Sequence, residues 1–238
     1  MKKKIVVTGG TGRFAEILKR EKTNNVIFFP SKKELDILNI KKIKNYLGKI
    51  KPHILIHCAG LSRPMKIHDK EIIKSIDLNI IGSANITKIC SQKKIKLIYL
   101  STSYVYPGVK GNYREKDSLL PVNNYAWSKL GGEAAVQLYK NSLILRLCMT
   151  EKPFIHKKAF KNVKTSFIYH DEAAKILLKV LNKKGIINVG GKCQSIFDFA
   201  KNDNKKIKPL FLKKNSKIGI PFDSSMNLSV LKKILKIN

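Results

Sequence analysis

Five short apolar runs, KKIVVTGG, NNVIFF, HILIHCAG, KLIYLSTS and SLILRLC, recur along the first 148 residues. They are rich in Ile, Val and Leu and end in turn residues, as strands buried on both faces do. Between them Phe14–Lys22, Ile40–Ile50, Asp69–Lys93 and Tyr125–Asn141 carry apolar residues at helical spacing. Strand alternating with helix permits little besides a parallel sheet wound by right-handed crossovers and covered by helices on both faces. The expected class is therefore α/β and doubly wound. After Arg146 the alternation weakens, leaving a helix over Asp171–Leu181, a short strand at Ile186–Val189, and closing helices near Phe197 and over Leu228–Ile237. Residues 1–147 read as the sheet domain, and 148–238 as a short C-terminal region interleaved with its last elements.

Composition narrows the class further. The 238 residues are 43% hydrophobic, which excludes disorder, and no apolar run approaches the roughly 20 residues of a membrane span. MKKKIVVTGGTG has a basic head but only three apolar residues before its glycines, so secretion is not expected. Cys58, Cys90, Cys148 and Cys193 form no CxxC pair and read as reduced core residues of a cytoplasmic protein, with no metal site. The net charge of +32 is spread along the whole chain, and only 5 of the 48 basic residues are arginine. Arginine dominates base readout and phosphate forks. Lys, Ile and Asn share A/T-rich codons and fill 92 positions, so codon bias accounts for the excess. The field still attracts phosphorylated ligands. No specific nucleic-acid partner is expected.

The first strand runs directly into Thr8-Gly9-Gly10-Thr11-Gly12-Arg13-Phe14-Ala15 and then a helix. A tight turn, close backbone approach and free N–H groups at a helix start suit a pyrophosphate, and glycine supplies the first two. A glycine trio also makes ordinary turns. Here the strand before and helix after favour dinucleotide binding. The second strand ends Phe28-Phe29-Pro30-Ser31-Lys32-Lys33 without the acid that would accept an NAD ribose, so NADP(H) is preferred and NAD(H) remains possible. Asp36, in ELDILN, lies near the adenine or serves as a cap or turn residue.

Tyr125-Ala-Trp-Ser-Lys129 places a phenol and an ammonium on one helix face. A fixed cation stabilises phenolate, which is expected to bring the tyrosine pKa down from about 10 and make Tyr125 a usable acid or base. Upstream, Ser101-Thr102-Ser103 ends a buried strand, where open α/β sheets bind ligands. Thr102 would hold a substrate oxygen while Tyr125 exchanges its proton. The alternative for Thr102 is a strand-end hydroxyl satisfying backbone groups.

TGGTGRFA, HCAG, DLNIIGSANI, LSTSYVYPGVKGNYREKD and NNYAWSKLGGEAA together resemble the extended short-chain dehydrogenase/reductase family. STSYVYPG…YREKD, ELDI and PFDSSMNLSVL look most like its dTDP-4-dehydrorhamnose reductase branch of nucleotide-sugar enzymes. The match covers nearly all of residues 3–235. The resemblance implies a Rossmann-type sheet with an abbreviated substrate region at the C-terminus. It puts Thr102, Tyr125 and Lys129 in the catalytic positions, with Lys129 also on the nicotinamide ribose. Asn79 matches an asparagine that props a relay water near the lysine, or else a helix-kink amide. Gly9, Thr11, Gly12, Arg13 and Phe14 match the pyrophosphate turn, Ser31 and Lys32 the ribose end, and Asp36-Ile37 the adenine contact. Cys58-Ala59-Gly60 match the loop after the family's fourth strand, and Ser101 lies beside the cofactor. Ser103 stands where the rhamnose branch usually has an acid. Residues 146–169 are shorter than the usual substrate segment. Asp171 is expected to cap the helix that follows it.

The leading expectation is an NADP(H)-dependent reductase of a 4-keto nucleotide sugar. An epimerase of the same family is the nearest alternative. Dehydration is disfavoured, because Ser103 and Tyr104 replace the acidic pair it needs. A non-catalytic dinucleotide-binding regulatory subunit, such as a partner of a methyltransferase complex, would be expected to have lost the YxxxK pair. Ile72, Ile73, Ile76, Ile80 and Ile81 give the 69–93 stretch more apolar width than one sheet contact needs, which suggests a homodimer through it and 125–141.

Overall fold

In the computed structural model, which describes residues 2–213 and 219–237, six strands form one fully parallel sheet. They are β1 (Lys4–Thr8), β2 (Val26–Phe28), β3 (Ile54–His57), β4 (Lys96–Thr102), β5 (Ser142–Leu147) and β6 (Gly185–Val189), ordered β2-β1-β3-β4-β5-β6. The chain first crosses from β1 to β2, then returns over β1 to build outward from β3. The switch point, where such sheets bind ligands, therefore lies between the carboxyl ends of β1 and β3. Helices α1 (Arg13–Leu18), α2 (Ile40–Ile50), α3 (Gly82–Gln92), α4 (Asn124–Gln137) and α5 (His170–Lys179) cover the faces, and α6 (Ile196–Asp203) and α7 (Ser229–Leu235) follow.

Strand alternation feeds two cores. Ile5, Val7, Ile54, Ile56, Ile98 and Leu100 point to one face, and Val6, Leu55, Leu97 and Tyr99 to the other. Asn39 starts α2 by accepting the Lys42 amide at 3.0 Å, and Asn123 starts α4 by accepting that of Ala126 at 2.8 Å. Beyond β5, a smaller cluster of Phe154, Ala159, Val163, Ile196, Ala200, Ile207 and Leu212 packs under short ladders. These pair Lys158–Phe160 with Lys208–Leu210, Lys164–Thr165 with Gln194–Ser195, and Met149–Thr150 with Ile168–Tyr169.

The long helix expected over Asp69–Lys93 is broken. Short turns at Ile67–Lys70 and Ile72–Ser75 meet at Glu71, which is non-helical at φ −119° and ψ 62°, and a π-helical stretch covers Ile76–Ile81 before α3. Close packing of the π stretch on α4 requires the paired glycines of α4. A Cβ on Gly132 would fall 2.4 Å from the Asn79 carbonyl oxygen, and one on Gly131 would meet the Ile80 side chain at 2.9 Å. Isoleucines at i, i+4 spacing give no sign of the extra residue a π turn inserts. The isoleucine row is also split: Ile86 and Ile89 are core, whereas Ile72, Ile73, Ile76 and Ile81 are exposed.

Two smaller corrections concern the other end of the chain. Asp171 does not cap α5; it lies inside the first turn, and the Glu172 carboxylate takes the Tyr169 amide at 2.9 Å. All four cysteines are free, but Cys193 is exposed, not core.

Candidate active site

The glycine turn after β1 is shaped by its neighbours. Gly9 sits at φ +69°, and a Cβ there would fall 2.9 Å from the Ala59 backbone; one on Gly10 would fall 2.5 Å from the Phe29 carbonyl carbon. The Gly12 amide donates to the Gly9 carbonyl at 2.8 Å, closing the turn before α1. Thr11, Gly12 and Arg13 are exposed at its lip, while Phe14 is buried edge-on to His170.

Beneath the turn runs a closed polar chain. The Ala59 amide donates to Thr8 Oγ1 at 3.2 Å, and that hydroxyl meets His57 Nδ1 at 2.7 Å. His57 Nε2 meets Ser83 Oγ at 3.1 Å, and Ser83 spends its own proton on the Asn79 carbonyl at 2.7 Å. These directions leave His57 neutral with its proton on Nε2. Burial, then the Lys129 charge, takes its pKa down to about 3. Burial also pushes the neighbouring Cys58 thiol up to about 12, against the pull of Lys129.

At the end of β2 the Ser31 amide and hydroxyl both donate to Glu34, at 2.7 and 2.8 Å. Lys32, Lys70 and Lys74, with Leu38 and Asp77, line a cavity of about 590 Å³ alongside. The Asp36 carboxylate accepts the Leu38 amide at 3.0 Å, the turn role. Ile37 is core: its Cδ1 would lie 2.5 Å from a Cβ on Gly82, so its side chain is not a groove surface.

At the carboxyl end of β4, Thr102 Oγ1 accepts the Tyr104 amide at 3.2 Å. Tyr125 lies near the start of α4, and Lys129 one turn deeper. Burial raises the Tyr125 phenol pKa, with the Thr102 hydroxyl and the Arg63 charge opposing. The expected lowering by Lys129 does not occur, because that ammonium is turned inward, 4.1 Å above the centre of the Tyr99 ring. Burial takes Lys129 itself down to about 8, with Cys58 and then Glu133 pulling the other way.

Other expected residues hold the site together. Asn79 donates to the Leu61 carbonyl at 2.9 Å and to Ser128 Oγ at 2.8 Å, and accepts the Leu61 amide at 2.7 Å. Both its amide protons are spent, so it clasps the loop after Gly60 to α4. This matches the structural-amide alternative for its side chain. The Ser101 hydroxyl faces inward and donates to Glu133 at 2.6 Å. Ser103 is buried beside Thr102 at the end of β4.

Four features escaped sequence reading. Glu133, fully buried, binds Arg146 at 2.6 Å, and Arg146 continues to the Tyr106 hydroxyl at 2.8 Å. Arg146 is the lone charge in SLILRLC, a signal that a buried partner had to exist. Tyr104 is held un-ionised by burial, close to Cys148, Tyr125 and Arg63. His68 packs 5.2 Å from Tyr125 between ring centres, with Nδ1 on Ser75 Oγ at 2.7 Å and its buried Nε2 unpartnered. Arg13 and Arg63 both pair with Glu151.

A parallel sheet with this switch point, a glycine turn, and a tyrosine–lysine helix beside the end of β4 define a protein of the extended short-chain dehydrogenase/reductase type. The family described as RmlD substrate binding domain matches residues 2–152, and the chain belongs to it. Methionine adenosyltransferase 2 subunit beta of Xenopus laevis is 30% identical over 155 residues, 61% of this chain and 46% of that protein. dTDP-4-dehydrorhamnose reductase of Mycolicibacterium smegmatis is 30% identical over 141 residues, 57% of this chain and 42% of that protein. The chain spans about half the length of these curated relatives. The crystal structure of dTDP-4-dehydrorhamnose reductase from Bacillus anthracis in complex with NADP superposes with a TM-score of 0.86. It covers 100% of this chain and 93% of that one at 23% identity, a likeness of fold. No helix among the described residues is long and apolar enough to cross a membrane.

Proposed function

We propose that the chain is an NADP(H)-dependent oxidoreductase that reduces the 4-keto group of a nucleotide sugar. The observation that carries this reading is the placement of Thr102 at the carboxyl end of β4, with its hydroxyl acting on the Tyr125 phenol, and Lys129 buried one turn deeper in α4, beside a glycine turn whose Thr11, Gly12 and Arg13 are exposed. That turn suits a dinucleotide pyrophosphate, and Lys32 and Lys70 along the cavity beyond β2 favour a 2′-phosphate, while Glu34, held by Ser31, keeps NAD(H) possible. Bound nicotinamide would supply the hydride. Thr102 would hold the keto oxygen by hydrogen bond, and Tyr125, a protonated phenol at neutral pH, would deliver a proton to that oxygen. Lys129, charged at neutral pH, would hold the nicotinamide ribose, and the Thr102 hydroxyl and the Arg63 charge would favour the resulting phenolate.

The test is NADPH oxidation with dTDP- and UDP-4-keto-6-deoxyhexoses. Substrate-dependent oxidation supports the reading. An epimerase would convert a nucleotide sugar without net cofactor consumption. The regulatory-subunit reading has its own support, the likeness to methionine adenosyltransferase 2 subunit beta. It predicts dinucleotide binding with no turnover of any of these sugars.

The proposed assembly is a homodimer through the exposed Ile72, Ile73, Ile76 and Ile81 and the adjoining α4.

A further inference from the structure

Glu151 bridges two arginines that start far apart in sequence. Arg13, first residue of α1 and next to the glycine turn, binds one carboxylate oxygen at 3.1 Å, and Arg63, in the loop after β3, binds the other at 2.5 Å. The carboxylate is 18% exposed, whereas Arg13 and Arg63 remain 56% and 35% exposed and so open to a ligand. Burial alone would raise the Glu151 pKa, but the Arg63 hydrogen bond and the two guanidinium charges hold it below the usual carboxylate range. The Arg63 charge also reaches Tyr125 and Tyr104, so the bridge lies at the mouth of the site. His170 lies within reach of the same three charges, and burial lowers its pKa.

Only 5 arginines occur among 48 basic residues, and two of them converge here on one carboxylate. Guanidinium forks match carboxylate and phosphate oxygens alike. We propose that Arg13 and Arg63 form a binding site for the pyrophosphate of a nucleoside diphosphate ligand, and that Glu151 fills this site in the free chain until the ligand displaces it. The inference rests on the dinucleotide cradle proposed at the glycine turn. It adds Arg63 as a ligand-binding residue and Glu151 as the internal competitor that sets affinity. Glu151 follows directly after the Met149–Thr150 strand, so its displacement would remove one of the ties between the glycine turn and the chain beyond β5.

The test is calorimetric binding of ADP-ribose and of UDP, neither of which requires hydride transfer. Glu151→Gln should tighten one of them by about two- to fivefold, the share expected from removing one partly exposed charge pair. A gain for ADP-ribose assigns the site to the dinucleotide, and a gain for UDP assigns it to the nucleotide sugar. The gain should vanish in Glu151→Gln/Arg63→Gln. Glu16→Gln, which removes an exposed charge paired with Lys19 on α1, should leave both affinities unchanged, so that net charge is not the cause. Equal or weaker binding by Glu151→Gln, no binding by either protein, or an equal gain from Glu16→Gln overturns the proposal. Failure of the reductase reading shows separately, as ADP-ribose binding without NADPH oxidation.

Discussion

The Lys129 ammonium lies 4.1 Å above the centre of the Tyr99 ring, while the Tyr99 hydroxyl donates to the Lys129 carbonyl at 3.1 Å. One residue thus receives from a single tyrosine both a cation–π face and a backbone tether. The contact offsets only part of the burial cost, since the ammonium pKa still falls to about 8. In the unfolded chain the same lysine titrates near 10.4, so between about 8 and 10.4 the unfolded state holds more protons and stability rises with pH. Below that window the charge is buried at a cost. Lys129→Met should therefore be more stable than the parent at pH 7, by about 1 kcal/mol or 2–4 °C. The difference should shrink from pH 8 to 10 in thermal unfolding, and turnover should be lost throughout.

Glu133→Gln acts in the opposite sense. It leaves Arg146 buried against Tyr106 without its counter-charge, which costs about 3–5 kcal/mol. Urea unfolding at pH 7 should show the loss as a lower midpoint with an unchanged slope. Because Glu133 also supports the charge on Lys129, any residual activity should fade at a lower pH than in the parent.

The glycines separate steric from conformational demand. Gly10→Ala must push a methyl against the Phe29 carbonyl at 2.5 Å, so it should cost about 1–3 kcal/mol and abolish dinucleotide binding. Gly185→Ala meets nothing within 4 Å and is strained only by φ +87°, so it should cost about 1 kcal/mol and leave binding intact. Chemical unfolding and NADPH titration of the pair distinguish the two.

What could be read from the chain was what local spacing encodes. The strand–glycine–helix passage at Thr8–Ala15 and the Tyr125/Lys129 pair each declare themselves within eight residues, because turn sterics and helix periodicity are local. The π turn at Ile76–Ile81 is hidden because its isoleucines keep an i, i+4 pattern, and the glycines it packs against, Gly131 and Gly132, lie some 50 residues away. The phenol pKa is not legible in the spacing, because a helix position says which face Lys129 occupies but not that its ammonium turns inward onto Tyr99. Glu151 joins Arg13, at the start of α1, to Arg63 in the loop after β3, and no local periodicity links the three positions.

The exposed Ile72, Ile73, Ile76 and Ile81 face bears on assembly. With +32 on each copy, self-repulsion opposes pairing and salt screens it. Sedimentation should show the dimer fraction rising with ionic strength, and Ile73→Lys should abolish the rise. A 27.0 kDa monomer at both low and high salt would count against a dimer.

The most direct test of the central claim is Tyr125→Phe, which removes one hydroxyl from the site and leaves the aromatic ring beside His68. NADPH affinity and NADPH oxidation with a 4-keto nucleotide sugar should be measured on the same preparation. The account predicts unchanged affinity, within about twofold, and a fall in turnover of about 10²–10⁴, the usual contribution of a positioned proton donor. Turnover equal to that of the parent would contradict it.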